Sequence, residues 1–129
     1  MSKYIDDLWV LLKTGALIFH YSEKNVDPTL FGAILSALNT YSENLAEGGV
    51  SEFEFKKNRI RFLKLHNIMI VALSSTQIKK KKVKKALEDI AAIFFNLYSE
   101  DYIDKWHGDV KYFSEFKILL EKSFKKSSN

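Results

Sequence analysis

Apolar positions along this chain change their period several times, and each change marks an element. Leu8 to Leu12 run apolar without a break, Lys13-Thr14-Gly15 closes them, and a second run, Ala16 to Tyr21, follows at once. Two such runs around a short glycine-containing turn predict a β-hairpin. Neither alternates with polar residues, which predicts strands covered on both faces. Asp27-Pro28 then offers a helix start, because aspartate accepts from free N–H groups and proline at the first helical position loses no bond. Phe31, Ile34, Leu35, Leu38 and Leu45 recur at helical spacing, and Gly48-Gly49 is expected to stop the helix and turn the chain.

From Val50 to Lys56 the period falls to two: Phe53 and Phe55 alternate with Glu52, Glu54 and Lys56, the pattern of a half-buried strand. Lys57-Asn58 is read as the turn into a strand from Arg59 to Leu65, and His66-Asn67 as the turn into an apolar central strand from Ile68 to Leu73. Ser74-Ser75-Thr76 supplies candidate N-caps for a long second helix, with Val83, Leu87, Ile90, Phe94 and Leu97 as its buried stripe. A break is expected between Tyr98 and Asp109. Phe113, Phe116, Leu120 and Phe124 then mark a last helix, and Lys125 to Asn129 a polar tail. The expected fold class is therefore α+β, in the order ββαβββαα, as one domain over residues 1–129 with its core at about 8–124.

Composition fits that reading. At 129 residues, with 47% apolar and 28% charged positions, the chain has the balance of a globular domain that buries roughly two thirds of its unfolded surface. The absence of cysteine excludes disulfides and thiolate metal sites and suits a cytoplasmic address. Asp6 and Asp7 stand near the N-terminus where a signal peptide carries bases. The net charge of +4 is concentrated: Lys79, Lys80, Lys81, Lys82, Lys84 and Lys85 outweigh it, so the remaining chain is slightly acidic.

The element order, together with local residues, resembles the longin-like domains of membrane-trafficking proteins. Gly15-Ala16-Leu17-Ile18-Phe19 is similar to that family's passage from a glycine into an apolar second strand. Leu30-Phe31-Gly32-Ala33-Ile34-Leu35-Ser36-Ala37-Leu38 resembles its small-residue first helix, and Trp106-His107-Gly108-Asp109 ahead of Phe113 and Phe116 its connection into the last helix. The resemblance implies a five-stranded antiparallel sheet in spatial order 2-1-5-4-3, with one helix on one face and two on the other. It implies a non-enzymatic binding platform or dimerisation domain of trafficking or small-GTPase control. The implied partners are a small GTPase or another longin-like or roadblock-like chain, with a homodimer as one form.

With that strand order the two edges differ. Strand three carries Glu52, Glu54 and Lys56, which discourage pairing with another chain. Strand two, Ala16, Leu17, Ile18, Phe19, His20 and Tyr21, carries no full charge and is the candidate partner-binding edge, unless the loop Ser22 to Val26 folds over it. Tyr41, Leu45, Phe53 and Phe55 are a candidate groove for a partner peptide, against the plainer reading that they are core. The six lysines from Lys79 to Lys85 are a candidate contact for anions or an anionic membrane surface, against the plainer reading of a solvated face. Lysines at a helix N-terminus oppose its partial positive charge, by about 0.3–1 kcal/mol each at most, so their clustering there invites a functional explanation.

Enzymatic readings find little support. His20, His66 and His107 are scattered and lack metal-site spacing, Ser74-Ser75 lacks the Gly-x-Ser-x-Gly turn, and no glycine-rich phosphate loop is present. Glu52 and Glu54 share a strand face that is expected to be solvent-exposed, so nothing there is expected to raise a carboxyl pKa. No cofactor and no catalytic residue are expected. Two alternatives stand beside the platform. One is a nucleic-acid binder using the lysine cluster, disfavoured by the scarcity of arginine and of interleaved aromatic residues. The other is a small-molecule sensor, which requires a cavity.

Overall fold

The computed structural model describes residues 4–12, 14, 16–22, 28–41, 44–46, 49–105 and 113–127. Strands β1 (Asp7–Leu12) and β2 (Leu17–Ser22) lead into helix α1 (Pro28–Tyr41). Then follow β3 (Val50–Phe55), β4 (Asn58–Leu65) and β5 (Ile68–Ser75), and helices α2 (Lys80–Leu97), α3 (Glu100–Asp104) and α4 (Ser114–Ser127). The strands form one antiparallel sheet in the order β2-β1-β5-β4-β3. This is the order that the longin-like resemblance implies, with β2 and β3 at the edges.

Alternation along the strands sorts side chains into two cores. Leu8, Val10, Ile18, Leu63, Ile68, Ile70 and Ala72 pack with Val83, Leu87, Ile90 and Phe94 of α2, Ile103 of α3, and Phe116 and Leu120 of α4. On the opposite face Trp9, Leu11, Ile60, Phe62, Met69, Val71 and Leu73 pack with Ile34 and, less deeply buried, Phe31 and Leu35 of α1. The two faces explain why β1 and β5 read as unbroken apolar runs: each is an inner strand with a helical layer on both sides. Fully burying one such side chain contributes about 1.5–3 kcal/mol. Phe94 is the hub of the larger core, with its ring 5.2 Å from those of Tyr98 and Phe116 and 6.0 Å from that of Phe113.

Several boundaries differ from expectation, each for a local reason. Helix α1 ends at Tyr41; Leu45 kept the helical spacing because it packs against the same core from beyond the helix. Gly49 serves a close approach, since a Cβ there would meet the Ala46 carbonyl oxygen at 2.6 Å. The β3–β4 turn is Lys56-Lys57, one residue earlier than predicted, with Phe55 opposite Asn58. Lys56 and His66 take positive φ (55° and 38°), as tight two-residue hairpin connections demand. Ser74 and Ser75 belong to β5, and the Ser75 hydroxyl accepts from the Gln77 N–H at 3.1 Å in a turn. Helix α2 therefore starts from Lys79, with no side-chain cap. The expected break after Tyr98 holds a short helix, α3, where the Ser99 hydroxyl accepts from the Tyr102 N–H at 3.1 Å. Asp27, Gly15, Gly48 and the Trp106-His107-Gly108-Asp109 connection lie outside the described residues.

Candidate functional site

Edge strand β2 is offset from a plain ladder. Val10 pairs with Phe19 and Leu11 with Leu17, so an irregularity lies between Val10 and Leu11, with Ile18 as the extra residue on β2. Such bulges bend a strand and re-aim its side chains. As a result Ile18 and Phe19 are both buried, whereas Leu17 is 39% exposed and His20 is turned outward on the other face. Ala16 is exposed and its carbonyl accepts from the Leu12 N–H at 2.8 Å, closing the hairpin; Tyr21 is half-buried. Of the six residues predicted as a partner edge, Leu17 thus presents apolar surface and Ile18 and Phe19 are core. Beyond Ser22, the loop weighed as a cover for this edge lies outside the described residues.

Beside β2 a cleft of about 330 Å³ opens between Leu17, Ile18, Phe19 and His20 and the start of α4, where Phe113, Ser114 and Lys117 line it. Phe19 and Phe116 form its floor support, ring edge to ring face at 4.9 Å. The lining is mostly apolar, with one lysine as its full charge. The same helix exposes Ile118 and Leu119. This cleft was not legible in the sequence, because it joins residues almost a hundred positions apart.

On the α1 side of the same edge, His20 stacks on Trp9 (centroids 5.1 Å apart) and approaches Phe31 at 6.2 Å. Its Nε2 lies 3.9 Å from Oδ1 of Asp7, a carboxylate buried on β1. Burial pushes the imidazole below its ordinary pKa. Nothing in the sequence pattern singles out Asp7, which stands there as an acid near the N-terminus. His66 pairs with Glu100 at 3.5 Å on the surface, and His107 lies outside the described residues. Among the described residues no group of three His, Asp or Glu could hold a metal ion.

Edge strand β3 differs from its expectation. Glu52 is not solvent-exposed: its carboxylate lies 2.9 Å from Nε of Arg59 and 3.8 Å from Nη1 of Arg61, directly across the ladder. Arg59, 5% exposed, also donates to the Ile78 carbonyl at 2.7 Å, to the Thr76 carbonyl at 3.3 Å and to Glu54 at 3.4 Å. Arg61 donates to the Lys80 carbonyl at 3.1 Å. The pair fastens the approach to α2 onto the sheet, a use of arginine's planar fork that a lysine does not reproduce. The groove residues are partly brought together: Tyr41 meets Phe53 edge to face at 4.8 Å, Leu45 packs on the same core, and Phe55 stands apart, 46% exposed.

All six lysines of the α2 start are exposed. Lys80 reaches Glu52 at 3.8 Å, and Lys82 lies 5.6 Å from the centroid of the Tyr4 ring. With both arginines of the chain turned inward, this surface offers no guanidinium for bidentate phosphate or base contacts, which counts against the nucleic-acid reading. No helix of the described residues is long and apolar enough to cross a membrane.

No protein-family model matches this chain, and no curated protein matches it in sequence. Among solved structures it is similar to Myxococcus xanthus MglB, at 17% identity and a TM-score of 0.47, over 71% of this chain and 85% of that one. At that level of likeness the functional reading rests on the chain's own surfaces.

Proposed function

We propose that this chain is a non-enzymatic protein-interaction module of membrane trafficking or small-GTPase control, and that its β2 edge receives an extended segment of a partner. One observation supports the reading above the others: an edge strand without a full charge exposes Leu17 and opens beside it onto an apolar cleft. Strand addition on such an edge gains main-chain hydrogen bonds, and pockets for alternate side chains give it specificity. An apolar partner side chain would fill the cleft, and Lys117 at its wall favours an acidic neighbour in the partner segment. The partner class, a small GTPase or another longin-like or roadblock-like chain, follows by analogy from the architecture. A module of this kind acts by binding one nucleotide state of its partner better than the other.

The test is a pull-down from source-cell lysate with GDP and with a non-hydrolysable GTP analogue, using wild type and Leu17→Lys, alongside the mass of the purified chain in solution. A GTPase or a longin-like chain retained by wild type and lost from Leu17→Lys supports the proposal, as does a dimer that the substitution dissociates. Equal recovery with both proteins and an unchanged mass would remove β2 as the partner edge.

A further inference from the structure

The end of the sheet where the β3–β4 turn meets the start of α2 carries more positive charge than the sequence run alone. The Thr76 N–H and hydroxyl both donate to the Lys57 carbonyl, at 3.0 and 3.3 Å, and Arg59 donates to the Ile78 carbonyl. These bonds hold the turn that carries the exposed Lys56 and Lys57 against the segment leading into Lys79 and the exposed lysines of α2. Lys79 occupies the N-cap without a side-chain cap, and the first turn of α2 has no acid, so the helix end adds to the field instead of offsetting it. The carboxylates of β3 are already engaged: Glu52 lies against Arg59, Arg61 and Lys80, and Glu54 against Arg59, while the exposed Glu88 and Asp89 follow the lysines one turn further along α2. At the same turn Phe55 is 46% exposed, with Nζ of Lys56 5.6 Å from its ring centroid.

We propose that this end of the molecule docks on an anionic lipid bilayer, with the lysines against the headgroups and Phe55 entering the interface between headgroups and acyl chains. Lysines present compact point charges on flexible stems, suited to a fluid layer of anionic headgroups, while the forked arginines that nucleic acids attract are committed to backbone carbonyls and to Glu52. Phe55, on the α1 face of the sheet with Phe53, adds one exposed ring beside Lys56 at this end, an aromatic next to a base as in interfacial membrane contacts, and a lone ring is no stacking platform for successive bases. Each lysine that reaches the headgroup layer raises partitioning by about fivefold. The surface is distinct from the β2 edge, so membrane and partner contacts are compatible.

The experiment is co-sedimentation of the full chain with phosphatidylcholine vesicles, with and without 30% phosphatidylserine, at 0.1 and 0.5 M salt. The comparison proteins are Lys56→Gln/Lys57→Gln, Lys81→Gln/Lys82→Gln/Lys84→Gln/Lys85→Gln and Phe55→Ser. Binding is expected with phosphatidylserine alone, and to weaken at least tenfold at the higher salt. The turn pair is expected to weaken it about 20-fold, the helix set at least 100-fold, and Phe55→Ser severalfold with the salt dependence kept. Absence of binding to phosphatidylserine vesicles, binding indifferent to salt, or retention of full affinity by the turn pair would overturn the proposal. Tighter capture of wild type by a 20-nucleotide single-stranded RNA than by the vesicles, at equal salt, would replace it with the nucleic-acid reading.

Discussion

The indole of Trp9 and the imidazole of His20 lie stacked, 5.1 Å apart and within 7° of parallel. They are cross-strand partners in the β1–β2 ladder, so the hairpin register alone brings the rings together. The stack ties the exposed edge strand to a fully buried residue of an inner strand, and puts a titratable group at the margin of the second core.

That position makes His20 a pH reporter. Burial holds its pKa below the ordinary value. The unfolded chain therefore takes up this proton more readily than the folded one. Stability from this group is complete above about pH 6.5 and falls as pH drops towards the folded-state value. An NMR titration should place the His20 midpoint below 6.5. Urea midpoints at pH 7.5 and 5.5 should differ less in His20→Gln than in wild type.

Arg59 should be among the most sensitive polar positions. Its removal takes away the nearest partner of Glu52, leaving Arg61 and Lys80 at 3.8 Å, and strands the Ile78 and Thr76 carbonyls, so Arg59→Met is expected to destabilise by about 2–4 kcal/mol, read from urea unfolding. Arg59→Lys should recover little of that loss, because one ammonium cannot reach three separate acceptors in a plane.

Phe94 is fully buried and its ring neighbours come from α2 and from the α4 region alike. Phe94→Ala should cost about 3–5 kcal/mol, and a near-ultraviolet circular dichroism band lost ahead of the helical signal would mark failure of the α2–α4 contact.

Neighbouring positions on β2 should respond in opposite ways. Leu17→Lys is expected to change stability by no more than about 0.5 kcal/mol, since the side chain is exposed. Ile18→Lys puts an unpaired charge into the first core and should unfold the domain. Equal thermal shifts for the two variants would show that the bulge at Val10/Leu11 does not set their exposure.

By itself the sequence determined the ladder of elements, because period two and period 3.6 are local properties of apolar spacing. It located β1, β5 and the stripe of α2 within a residue or two, and the longin-like resemblance supplied the strand order. Element ends were less legible: Leu45 mimicked helix while packing from a loop, and Ser74 and Ser75 looked like caps while extending β5. The lysine run was also plain in the sequence. Only the tertiary structure decided which of its neighbours stand at that end of the molecule, since the turn of Lys56 and Lys57 is tied by the Lys57 carbonyl to Thr76, just ahead of α2. The same holds for Glu52, whose strand pattern predicts a solvated acid until Arg59 and Arg61 are brought across the ladder. It holds again for the β2 cleft, where a one-residue bulge buries Ile18 and opens Leu17 to a helix close to the other end of the chain. Local spacing fixes which face a residue prefers, whereas a site depends on distant segments meeting, and that is set by the packing of the whole.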